Sequence, residues 1–153
     1  MPSTIGGLPL HPLIVHATTV LVPLAALVVL LAVLWPRFRR WAGPLPVGLA
    51  LVALVLTPLS TATGEDLEHE VGRSALVERH AELGDQLLPL TIALFVLAAV
   101  FWWLERRPDT RRALVLGAGA LAVVAALATG VQVVRIGHSG AEAAWSGTAA
   151  TSG

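Results

Sequence analysis

Gly64–Asp85 reads GEDLEHEVGRSALVERHAELGD, a polar stretch inside an otherwise apolar chain. It holds seven of the ten acidic residues and two of the five histidines, His69 and His80. Apolar runs close on it from both sides, Pro44–Gly64 before it and Glu82–Leu104 after it. A stretch this charged is excluded from hydrocarbon, so the chain has to leave the bilayer here. Working outward, two further apolar runs appear, Pro12–Trp35 and Arg112–Val134. The pattern predicts four spans, at about 12–35, 44–64, 82–104 and 112–134.

Composition agrees. At 153 residues, 56% hydrophobic and 13% charged, with a mean hydropathy of +0.77, the chain is too apolar for an ordinary soluble domain. Its length allows one domain. Cysteine is absent, which rules out disulfides, thiolate zinc sites, iron–sulfur clusters and Cys-attached haem. Nothing in a chain of zero formal net charge points to nucleic acid. No secretory signal peptide is expected, because the first ten residues hold no basic residue and Arg37, Arg39 and Arg40 follow the first apolar run.

The span lengths suit a membrane. Twenty-four residues of helix from Pro12 to Trp35 reach about 36 Å, enough for a hydrocarbon layer of about 30 Å. Pro12 suits a first helical turn, while Pro23, Pro58 and Pro89 fall within runs and are expected to bend them. Seven of the ten arginines lie in the two short loops after spans one and three: Arg37, Arg39, Arg40, Arg106, Arg107, Arg111 and Arg112. Those loops are expected to face the cytoplasm, with Trp35, Trp41, Trp102 and Trp103 as an aromatic belt beside them. Both termini and the polar segment 64–85 are then outside, in a multi-pass protein of the plasma membrane. The small polar tail 139–153 is expected to be poorly ordered beyond Trp145. Thr61-Ala62-Thr63-Gly64 and Leu127-Ala128-Thr129-Gly130 end spans two and four alike, which suggests two repeated helical hairpins.

All five histidines fall toward the outer side. His16 lies about one turn inside the first apolar run, where an ionisable residue is a functional candidate; the alternative is an imidazole bonded to a neighbouring helix. His11, five positions earlier, lies about 140° round the helix and reads as rim or cap. His80 opens the third span with Gly84 one turn on, which leaves room for a flat cofactor or for close helix packing. His138 sits between Gly137 and Gly140, glycines that would let the backbone turn back over the bundle. His69, with Glu65 four residues before and Arg73 four after, reads as a solvated face with local charge pairs.

Among chemistries, one b-type haem fits this layer best. It needs two imidazoles from different helices, an apolar slot and cations for its propionates. His16 with His80, or with His138 as the alternate partner, would supply the first, and Arg73, Arg79 and Arg135 the last. Such a protein would carry electrons to or from a redox partner on the outer face. The runner-up is zinc or copper on His16, His80 and His138 with a nearby carboxylate, although no tight chelating spacing occurs. The third reading is an accessory membrane subunit without a cofactor.

Gly7-Leu8-Pro9-Leu10-His11-Pro12-Leu13-Ile14-Val15-His16 resembles the opening of the bacterial membrane proteins grouped as domain-of-unknown-function family 2231. His80 with Gly84, and Gly137-His138-Ser139-Gly140 followed by Trp145, resemble later segments of that family; Ala17-Thr18 stands where many members have Phe-Pro. The resemblance implies four helices with both termini outside. Relatives are sometimes joined to Rieske-type or cytochrome-like domains, which leans toward electron transfer.

Overall fold

The computed structural model describes the backbone of residues 4–5, 8–71 and 74–145 and the side chains of 13–65 and 74–145. A two-residue antiparallel pair, β1 (Thr4–Ile5) and β2 (Leu8–Pro9), precedes the helices. Then come α1 (Leu10–Leu34), α2 (Pro36–Ala42), α3 (Leu45–Val71), α4 (Ala75–Asp85), α5 (Leu87–Glu105) and α6 (Arg112–Trp145). Among the described residues, four helical segments are long and apolar enough to cross a membrane, Leu13–Leu34, Leu45–Glu65, Ala75–Glu105 and Arg112–Trp145. The protein is an all-helical, polytopic bundle.

Helix α1 packs on α3 and α6, and α5 packs on the same two, so α1 and α5 lie on the diagonal. Alanine dominates the seam: Ala25, Ala26, Ala50, Ala53, Ala98, Ala122 and Ala126 are buried with Val22, Val29 and Leu94. Between helices in lipid, small side chains let backbones approach and gain dispersion contacts, because tail-on-tail hydrophobicity supplies no net drive. The outer faces carry the large apolar residues, such as Val20, Leu27, Leu121, Val131 and Val134, all exposed.

The two ends of the bundle differ. Among the described residues, the buried polar ones are Thr18, Thr57, Thr63, Thr91, Thr129, Gln132 and Ser139, all toward the histidine-bearing end. Thr57 and Thr129 each donate to the carbonyl four residues back, at 2.8 Å, so their burial leaves no hydroxyl unpaired. At the opposite end, Arg39 of α2 donates from Nη1 to the carbonyls of Ala32 and Val33, both at 3.2 Å, in the last turn of α1, where intrahelical donors run out. Its Nη2 meets Glu105 Oε1 at 3.0 Å. Phe101, below that guanidinium, presses on α6 at Gly119, where an added Cβ would stand 3.2 Å from both Phe101 and Val33.

Several boundaries differ from the sequence expectation. The basic loop after span one is largely helix, as α2. Helix α3 runs past Gly64 to Val71, through the first part of the polar stretch. The third span is two helices that break at Gln86. Pro89 therefore stands at the third position of α5 and not within a continuous helix, and in a first turn its missing N–H costs nothing. The nineteen residues of α5 reach about 28 Å and fall within the length of about 17–25 residues that a transmembrane helix takes, so α5 can serve as the span without α4. The backbone does not turn back at Gly137 and Gly140; α6 stays helical through both and on to Trp145, and the tail expected to be poorly ordered beyond Trp145 lies outside the described residues.

Candidate functional site

The histidine-bearing end is organised by α4. Ser74 caps it, its Oγ accepting from the Val77 N–H at 3.3 Å. Leu76, His80 and Leu83 recur at helical spacing and turn inward, whereas Glu78, Arg79, Glu82 and Asp85 are exposed. The inward face is tied to α6 at two points. Nδ1 of His80 lies 3.0 Å from Oγ of Ser139, itself 3% exposed. One turn along, Gln132 Nε2 donates to the Leu83 carbonyl at 2.8 Å. That carbonyl belongs to the last turn of α4, where intrahelical donors run out.

The Ser139–His80 bond has a direction. Ser139 Oγ donates its single proton to the Ile136 carbonyl at 2.9 Å, so toward His80 it accepts. Nδ1 of His80 therefore carries the hydrogen, an assignment made from the network of partners. In the neutral ring the lone pair is then on Nε2. Gly140 completes the seat: a Cβ there would stand 3.0 Å from Cε1 and 3.3 Å from Nδ1 of His80. The imidazole lies where any other residue at 140 would put its side chain.

The remaining histidines go elsewhere. His138, one residue before Ser139, is turned outward and 75% exposed, with Nε2 3.3 Å from Glu142 Oε1. The same carboxylate lies 3.8 Å from Arg79, which links α4 to α6 on the outside. His16 is exposed on α1, seven residues and hence two turns before Pro23 on one face. Gly84 faces α3, where a Cβ would meet the Thr61 methyl at 4.0 Å, so the space beside it is helix contact and not a slot. Arg135 is exposed and donates to Gln132 Oε1 at 3.3 Å, on the outer surface of α6. The side chains of His11, His69 and Arg73 lie outside the described residues.

A haem with two axial imidazoles needs a facing pair. His80 is directed at Ser139 and Gly140, His138 outward, and His16 along the outward face of a helix that does not carry α4. The described residues thus fit one oriented imidazole ligand and do not fit a facing pair within the bundle. Nor do His16, His80 and His138 converge: among the described residues, no group of three or more His, Asp or Glu side chains is placed to hold a metal ion. Sequence reasoning gave Ser139 and Gln132 no role, and gave Gly140 only a turn of the backbone. Gln132 did carry a signal, being the one amide inside the apolar run of α6.

Bundle and polar end together define a polytopic helical membrane protein. The chain belongs to the family described as predicted membrane protein (DUF2231), which matches residues 7–153. No curated protein and no solved structure matches it.

Proposed function

We propose that this protein is an accessory subunit of the membrane, in which the bundle is an anchor and α4 is the surface presented to a partner. The observation that carries this reading is the double attachment of α4, through His80 to Ser139 and through Leu83 to Gln132, with Glu78, Glu82 and Asp85 left exposed at i, i+4 and i+7. A charged helix fixed this firmly to a bilayer anchor is pre-organised for docking. By the arginine distribution, that surface is on the outer side of the plasma membrane. The test is a photo-crosslinking residue placed at 78, 82 or, as a control on the exposed face of α6 outside any groove, 121 in native membranes. A discrete higher-mass adduct from 78 and 82 but not from the bilayer-facing position 121 is expected. Adducts from none, or equally from all three, would refute the docking face.

A second reading has one observation in its favour. A histidine held through Nδ1 by a fixed acceptor presents Nε2 as a metal-ligating imidazole does. His80 would then be one axial ligand of a b-type haem engaged in electron transfer. An absorption spectrum of the detergent-purified chain, before and after dithionite, decides between the two. The accessory reading expects a flat visible spectrum from cells well supplied with haem. A Soret band lost in His80→Ala would replace it with the cytochrome reading.

A further inference from the structure

On the opposite side of α6 from His80, a groove of about 440 Å³ runs between α1 and α6, within the range of small-molecule sites. Pro23 and Leu27 form one wall, and Gly130, Val131 and Val134 the other. Leu27, Val131 and Val134 are more than half exposed, so the groove opens toward the bilayer. Gly130 makes its depth, since a Cβ there would meet nothing within 4 Å.

Arg135 closes the groove at the histidine-bearing end. Its described partner is the neutral amide oxygen of Gln132, a side chain only 4% exposed and tied to Leu83. The guanidinium is thus steered from a fixed support while its charge is left for a ligand. The helical period puts His16 two turns beyond Pro23, and His138 one turn beyond Val134, on the same two walls. The carboxylate nearby, Glu142, is engaged by His138 and Arg79. An apolar trough with cationic and imidazole groups at the level of the interface matches an acyl chain joined to a phosphate. These same groups disfavour a headgroup that carries its own ammonium.

We propose that the α1–α6 groove binds an anionic phospholipid, with one acyl chain along Pro23, Leu27 and Gly130 and the phosphate on Arg135. The proposal is independent of the accessory reading, whose tests are made on α4 and by absorption.

The experiment is electron paramagnetic resonance of the full chain in phosphatidylcholine bilayers. The probes are chain-spin-labelled phosphatidylglycerol and, separately, chain-spin-labelled phosphatidylcholine. Phosphatidylglycerol is expected to be motionally restricted with about fivefold preference, the factor that one interfacial arginine supplies. Arg135→Gln should bring it down to the phosphatidylcholine level. Gly130→Leu fills the trough without meeting the core and should remove the preference as well, with the helical circular dichroism unchanged. Equal restriction of both lipids by the natural chain would overturn the proposal. A preference that survives Gly130→Leu but not Arg135→Gln would show adsorption by charge alone, and overturn the seat in the groove. Restriction of neither lipid, together with a disulfide between two copies of a Gly130→Cys chain, would assign the groove to a second copy.

Discussion

Nδ1 of His80 and Oγ of Ser139 lie 3.0 Å apart although they are fifty-nine positions apart in the chain. The proton of Ser139 is already given to Ile136, so the serine serves here as an acceptor. Ser139→Ala therefore removes the bond and leaves a half-buried imidazole N–H without that partner. The expected cost is about 1–3 kcal/mol. Five tryptophans allow it to be read as a lower unfolding temperature in detergent by intrinsic fluorescence. A change too small to detect would mean that water replaces the hydroxyl and that the clamp is not structural.

Gly140 tests the same contact from the other side. Its missing Cβ would lie 3.0 Å from Cε1 of His80, so Gly140→Ala has to push the ring off its seat. Overpacking of this kind costs about 1–3 kcal/mol. In a His80→Ala background the ring is gone, and Gly140→Ala should then be neutral or slightly favourable through helix propensity. The double-mutant cycle reads that coupling directly. Additive losses would mean that Gly140 is needed for something other than the imidazole.

These two residues also mark where sequence reading stops. Hydropathy located four spans because hydrocarbon excludes charge, and all four are helices in the structure. It did not locate the helix ends: α3 and α6 continue to Val71 and Trp145 because backbone hydrogen bonds persist where the bilayer ends. That His16, His80 and His138 fall toward one end of the bundle was legible, since depth follows from position along a span. Their contacts were not. His138 and Ser139 are neighbours in sequence but about 100° apart round α6, and only packing decides which of them meets α4. The residue rich in chemistry faces out and the plain serine faces in.

The opposite end makes a sharper stability prediction. Arg39 satisfies two carbonyls at the end of α1 and pairs with Glu105, and its side chain is only 19% exposed. Arg39→Met should cost about 1.5–3 kcal/mol, the range for hydrogen bonds to a charged group. Lysine lacks the planar fork that reaches both carbonyls and Glu105 together, so Arg39→Lys should recover little of that loss. Glu105→Gln keeps the capping and should cost about 1 kcal/mol or less. Thermal unfolding of the three variants side by side gives the order. Should Glu105→Gln prove as damaging as Arg39→Met, the ion pair and not the cap would be what holds this end.

The direction of the bundle in the membrane follows from charge and can be read chemically. Arg37, Arg39, Arg40, Arg106, Arg107, Arg111 and Arg112 all flank the two short connections at one end. Arginines in short loops are retained on the cytoplasmic side, so the end that carries His80 and Ser139 is expected outside. The chain contains no cysteine, and single cysteines can be introduced without background. Asp109 in the second short connection and Ala141 near the end of α6 are both exposed, and neither has a role in the contacts described above. With a membrane-impermeant maleimide on intact cells stripped of their outer layers, Ala141→Cys should label at once. Asp109→Cys should label only after lysis. The reverse pattern would invert the bundle, place α4 on the cytoplasmic side, and move the search for its partner to that compartment.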